Sequence, residues 1–182
     1  MSTGNNRGPV SAPDTDLSMD KDLQSLMLRL RKRDRVELGE YGIDSDEAVS
    51  MLSAPSALTR LFHACGAPQA VIAFHAITPR TLSASLLATD EWPRVIRPVW
   101  RWCVQVARPT LLAQGFTRAE CRTMQGHDDA IRFLEKLGFR AECHIPHFGA
   151  TGAAFTQYAW RLQDNVPDEN TKNADPAATA AP

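Results

Sequence analysis

The clearest hydrophobic period in the chain lies between Gly126 and Phe139. Ala130, Phe133, Leu134 and Leu137 recur at i, i+3, i+4 and i+7, which gives a helix one apolar face. Asp128 and Asp129 fall in its first turn and Lys136 in its last, the charge placement that suits the helix dipole. Gly138 stands where the chain leaves the helix through a left-handed residue. From Phe139 the period changes to two. Phe139, Ala141, Cys143 and Ile145 alternate with Arg140, Glu142 and His144, the pattern of a half-buried strand.

The same reading extends along the chain. Leu23, Leu26, Met27, Leu30 and Leu38 predict a helical region over residues 22–41, and the alternation of Leu26, Leu28 and Leu30 leaves a strand over 25–30 open. Gly42 ends this region, and Asp44 or Ser45 caps a short helix over 46–52. Three strands follow, over 57–65, 70–77 and 81–88, with turns at 66–69 and 78–80. The second is apolar enough to be central. Residues 90–114 form the next helical region; its prolines predict regularity only after Arg97, with Pro98 at the first position. Ala119, Cys121 and Thr123 alternate with Arg118, Glu120 and Arg122 in a strand over 117–124, and a last strand covers 154–162. His75 reads as a hydrogen-bonded core histidine. Cys121 and Cys143 read as packing partners on neighbouring strands.

Composition narrows the function classes. The chain has 182 residues, 43% hydrophobic and 23% charged, with a net charge of −1. That suits one soluble domain and offers no general attraction to nucleic acid or an anionic membrane. No apolar run reaches the roughly 20 residues of a membrane span, and the polar N-terminus lacks a secretory leader, so a cytoplasmic location is expected. Residues 1–21 and 164–182 read as disordered tails around a domain at 22–163, because they have little to bury. Cys65, Cys103, Cys121 and Cys143 show no paired spacing and read as reduced thiols. Cys143, His144 and His147 invite a metal reading, which strand alternation opposes by turning Cys143 and His144 to opposite faces. No metal is expected.

Ala130 followed by Leu137-Gly138-Phe139 resembles the C-terminal motif of the GNAT superfamily of N-acetyltransferases. The predicted order (helices, three-strand meander, helix, strand, helix, two strands) is similar to that family over residues 25–162. The resemblance implies an α/β fold with a mixed, mostly antiparallel central sheet flanked by helices. The chain is most similar to GNAT-like proteins of short-tailed bacteriophages, some of them internal virion proteins. The likeness rests on Leu30-Arg31-Lys32-Arg33-Asp34-Arg35-Val36-Glu37, on Ile131-Arg132-Phe133-Leu134, and on the aromatic closing segment from Phe155 to Trp160. It implies protein partners in a virion or host, and a location in host cytoplasm or virion.

The resemblance also implies acetyl-CoA as cofactor and transfer of an acetyl group to an amine. Backbone groups of Leu86, Leu87 and Ala88 would hold the thioester arm. The family's glycine loop for the diphosphate is missing: residues 88–98 contain no glycine, two prolines and two carboxylates. Arg94 and Arg97, on one helix face with Arg101, are the candidate replacements. The family's motif Asn is His127 here, a candidate acid or base. Its proton-donating Tyr is Leu134, which cannot donate. Two functions remain open: an acyltransferase with degenerate or cryptic acetyl-CoA chemistry, and a non-catalytic binding protein on the same fold.

Overall fold

The computed structural model describes residues 15–163. The expected tails beyond these bounds lie outside the described residues. The chain runs α1 (Thr15–Met27), α2 (Lys32–Glu40), α3 (Ser45–Ser53), β1 (Leu58–Ala64), β2 (Ala67–Ala76), β3 (Thr81–Ala88) and α4 (Trp92–Trp102). It continues through α5 (Arg108–Ala113), β4 (Arg118–Met124), α6 (Asp128–Leu137), β5 (Arg140–Ile145) and β6 (Phe155–Arg161). The strands form one sheet in the order β1-β2-β3-β4-β6-β5. All neighbours are antiparallel except β3 and β4. This is the mixed, mostly antiparallel sheet that the family resemblance implies. Among the described residues no helix is long and apolar enough to cross a membrane.

The sheet is covered on both sides, and β2 shows why. Ile72 and Phe74 enter a core with Val95, Val99 and Trp102 of α4 and Phe133 and Leu137 of α6. Val71 and Ala73, one residue out of phase, enter a second core with Leu23 and Leu26 of α1 and Leu52 of α3. A strand buried on both faces needs a continuous apolar run, and β2 supplies one. α6 follows its pattern closely: Phe133 and Leu137 are buried, and Gly138 closes the helix at φ 97°. Asp44 caps α3, accepting a hydrogen bond from the Glu47 amide at 2.8 Å.

Several expectations are corrected. The helical region over 22–41 is two helices, and α1 begins at Thr15, inside the stretch assigned to the N-terminal tail. Between them Leu30 bridges Thr89, and the Arg31 amide donates to the Ala88 carbonyl at 3.0 Å. The end of β3 thus takes backbone groups that a continuous helix would have kept. α4 starts at Trp92, with Pro93 in its first turn and Pro98 inside it, earlier than the prolines suggested. It widens into one π turn over Cys103–Ala107, closed by the Arg108 amide on the Cys103 carbonyl, before α5. β5 is an exposed edge strand rather than a half-buried one, with Phe139 just before it fully packed. β6 lies between β4 and β5, so Cys121 faces Tyr158, and Cys143 faces Gln157. Charge explains the order. Phe155, Tyr158, Ala159 and Trp160 need burial, whereas Arg140, Glu142 and His144 suit a rim.

Two contacts fix α2 against the sheet. At its start Asp34, 2% exposed, accepts from Arg31 Nε and from the Ala88 amide, each at 2.7 Å. Burial holds the Asp34 carboxyl above its ordinary range, against the opposing pull of Arg31, the Ala88 amide and His127. At the other end the Glu40 carbonyl accepts from the Ala150 amide at 2.8 Å. The Glu40 carboxylate accepts from the amide (3.0 Å) and hydroxyl of Thr151. A Cβ added at Gly149 would run into this carboxylate. Beside it Tyr41 packs edge-on against Phe148 and Phe155, at 5.5 and 5.1 Å.

Two tests follow from these contacts. Asp34→Ala strands a buried guanidinium and is expected to lower unfolding free energy by about 3–5 kcal/mol. Urea unfolding checks this, and a loss under 1 kcal/mol (roughly a surface-pair effect) would refute it. Gly149→Ala is expected to free the loop over 146–154, read as faster amide exchange there than in β6. The Thr151 bonds lower the Glu40 pKa below its ordinary 4.5. A lowered carboxyl stabilises the fold above its unfolded value and loses that contribution as pH falls through the folded one. The wild-type loop is therefore held above pH 4.5 and loosens on acidification, a change the Gly149→Ala protein should not show.

Candidate functional site in the parted strands

β3 and β4 are parallel neighbours for only three residues each, Thr81–Ser83 beside Arg118–Glu120. Beyond these they part, and a cavity of about 720 Å³ opens between them. Phe133, Leu134 and Leu137 of α6 line it from one side of the sheet, and Leu38, Met51 and Leu52 of α2 and α3 from the other.

The backbone at the parting follows from strand parity. The Thr89 amide donates to Gln69 of β2, whereas the Ala88 amide and carbonyl turn away from β2 to Asp34 and Arg31. With a two-residue period, Leu86 and Ala84 turn the same way as Ala88, into the parting. Leu87 turns toward β2, opposite Val71. On the facing strand the Thr117 carbonyl and Gln125 amide bond toward β6, so Arg122 and Met124 face β3. Their carbonyls are taken by the Tyr41 hydroxyl at 3.2 Å and the His127 amide at 3.1 Å. Of the three strand residues singled out in the sequence, Leu86 presents backbone groups to the cleft. Leu87 lines it by side chain, and Ala88 is occupied by α2.

His127 sits at the N-terminal boundary of α6, 3% exposed, and borders the cavity. Nδ1 lies 2.7 Å from Glu37 Oε2. Nε2 lies 3.3 Å from Asp34 Oδ1, without closing a hydrogen bond. Glu37 Oε2 also accepts from Thr123 Oγ1 at 3.2 Å. One turn of α2 thus sets two carboxylates at i and i+3 against one imidazole. Asp34 and Glu37 were not singled out as site residues from the sequence, although their spacing on a polar helix was a signal. Leu134 lines the cavity. Tyr41 and Cys121 line it too, and burial raises the pKa of both, as does the charge of Glu37. Both stay protonated, so Tyr41 acts as a hydrogen-bond donor and Cys121 is no ready nucleophile.

Three amides of the turn after β3 are bonded within it. The Glu91 amide donates to Thr89 Oγ1 at 3.2 Å, the Trp92 amide to the Thr89 carbonyl at 3.0 Å and the Arg94 amide to the Glu91 carbonyl at 2.9 Å. Pro93 has no amide hydrogen. Trp92, 6% exposed, packs edge-on against Phe133 at 5.0 Å, under the Arg31 guanidinium. Trp100 Nε1 reaches the Lys136 carbonyl at 3.4 Å and ties α4 to α6. Arg94 and Arg97 are exposed near the start of α4 and outside the cavity lining. Arg94 pairs with Glu91 and donates to Cys65 Sγ at 3.2 Å. His75 is corrected: its Nε2 is buried without a hydrogen-bond partner, and the ring lines the cavity. Among the described residues no three His, Cys, Asp or Glu side chains are grouped to hold a metal.

No family model and no curated protein matches the chain in sequence. Solved structures do match its shape. Aminoglycoside 6'-acetyltransferase type Ii superposes with a TM-score of 0.62 at 18% identity, covering 82% of this chain and 93% of that one. The ribosomal-protein-S18-alanine N-acetyltransferase from Escherichia coli gives 0.59 at 14% identity, covering 88% and 96%. The putative acetyltransferase yncA from Salmonella typhimurium, solved with its cofactor acetyl-CoA, gives 0.53 at 15% identity, covering 70% and 79%. At such identities the likeness concerns architecture, and on that ground the chain has the fold of the GNAT N-acetyltransferases.

Proposed function

We propose that the chain binds an acyl thioester of the CoA type in the cleft between β3 and β4 and transfers the acyl group to an amine. The observation that carries this reading is the parting itself: an apolar-walled cavity with the backbone groups of Leu86 on one open strand edge. Such an edge matches the amides of a pantetheine arm, which can add to it like a short strand.

The fit is uneven along the ligand. The cleft suits the arm and the acyl group. The turn over 89–94 is a poor diphosphate cradle, because the amides of Glu91, Trp92 and Arg94 are bonded within the turn, that of Thr89 goes to Gln69, and Pro93 lacks one. Recognition of the diphosphate falls to the side chains of Arg94 and Arg97. The thioester supplies the activated acyl group. Glu37 and His127 act as proton acceptor for the attacking amine, the carboxylate orienting the ring through Nδ1. Water completes proton delivery to the departing thiolate, since Leu134 cannot.

The closed turn and the Trp92–Phe133 contact favour a second reading, a binding protein that keeps the fold without catalysis. The likeness of residues 30–37 to short-tailed phage proteins supports a virion or host component as its partner. It equally supports a phage origin for a weakly active transferase.

Thermal shift separates the two. A ligand at 100 times its dissociation constant should stabilise the fold by about 2.7 kcal/mol. S-acetyl-pantetheine and acetyl-CoA are both expected to stabilise the protein. Arg94→Ala/Arg97→Ala should weaken acetyl-CoA and leave S-acetyl-pantetheine unaffected. No shift with either compound at millimolar concentration would defeat the transferase reading. If transfer is observed, His127→Ala should lower turnover about 10²–10⁴-fold with little change in acetyl-CoA affinity.

A further inference from the structure

We infer that the part of the cavity enclosed by α2, α3 and the end of β2 is an acceptor pocket for a small primary amine with an apolar body and one hydrogen-bonding group. This rests on the transfer reading for its role, though not for the binding it predicts.

The walls are apolar: Leu38, Ile43 and Leu52 line the inner part. At the rim stand Met51 and Ile77, 52% and 56% exposed, both also part of the lining. Two large apolar side chains left in water at the mouth of a cavity gain most from a ligand that covers them.

The carboxylates of the lining can each be accounted for. Three carboxylates border the cavity. Asp34 spends one oxygen on Arg31 and the other on the Ala88 amide. Glu120 spends one on Arg118 and the other on Gln157. Glu37 takes both of its hydrogen bonds, from Thr123 and His127, on Oε2. Its Oε1 is the carboxylate oxygen left for an ammonium group, beside the ring that would take the amine's proton. Two buried ring nitrogens of the lining have no hydrogen-bond partner, His127 Nε2 beside Asp34 and His75 Nε2 at the β2 end of the cavity. A buried ring nitrogen is ordinarily satisfied, so an unpaired one in a cavity wall points to a ligand atom as its partner. A polyamine would meet Glu37 but leave the apolar walls and His75 unused.

Calorimetric titration without any thioester tests this on the whole protein, with tyramine, 2-phenylethylamine and putrescine as probes. Tyramine should bind at least 10-fold tighter than either of the others. Met51→Ser/Ile77→Ser, at exposed positions, should keep the wild-type circular dichroism and weaken tyramine at least 10-fold. His75→Leu should abolish the preference for tyramine over 2-phenylethylamine. Putrescine binding as tightly as tyramine overturns the inference. So does unchanged tyramine affinity in the rim variant, or a preference that survives in His75→Leu. Acetyl-CoA binding with no tyramine binding overturns the pocket and leaves the transfer reading intact. Tyramine binding with no acetyl-CoA binding supports the pocket and removes the transfer reading.

Discussion

The parting of β3 from β4 is the constraint on which this structure depends. Parallel strands gain by continuing to pair, so two that stop after three residues must be held apart. Asp34 does this at the β3 side. By accepting the Ala88 amide, and with Arg31 covering the Ala88 carbonyl, α2 takes the backbone groups that β4 would otherwise have sought. On the β4 side the Tyr41 hydroxyl and the His127 amide occupy the carbonyls of Arg122 and Met124. The cleft exists because helix residues take part of each strand edge in place of the other strand, leaving the Leu86 backbone open between them.

This arrangement binds shape and chemistry together. Asp34 both fastens α2 and lies beside His127, while Glu37, one turn further, holds the same ring. Glu40 then fixes the far end of α2 to the loop before β6. One short helix therefore sets the width of the cleft, the position of the imidazole and the closure of the cavity near Tyr41. The start of α4 went another way. Its turn bonds the amides of Glu91, Trp92 and Arg94 internally, and Trp92 and Trp100 meet α6.

Much of this was legible in the chain because it is local. The period of α6, its Gly138 exit and the Asp44 cap are set by residues within a few positions of one another. The order of elements followed from such signals. What escaped was set by distance. Nothing near His127 announces Glu37, ninety residues away, or the carboxylate grip on both sides of its ring. β5 alternates like a half-buried strand, yet β6 offers more apolar surface and takes the inner place. The break between α1 and α2 is a tertiary effect, since Leu30 and Arg31 leave the helix to meet the end of β3. Leu86, Leu87 and Ala88 looked equivalent in sequence, and only the pairing parity of β3 told them apart.

The short pairing between β3 and β4 has a further consequence. The hydrogen bonds that join β1–β3 to β4–β6 directly are confined to one end of the sheet. The two halves are otherwise coupled through the helices, α2 on one side and α4, α5 and α6 on the other, and through the side chains that meet across the cavity. Such a molecule has a built-in line along which local opening begins, below the cost of global unfolding. Whatever fills the cleft lies across that line and makes two weakly joined subunits of stability into one cooperative unit.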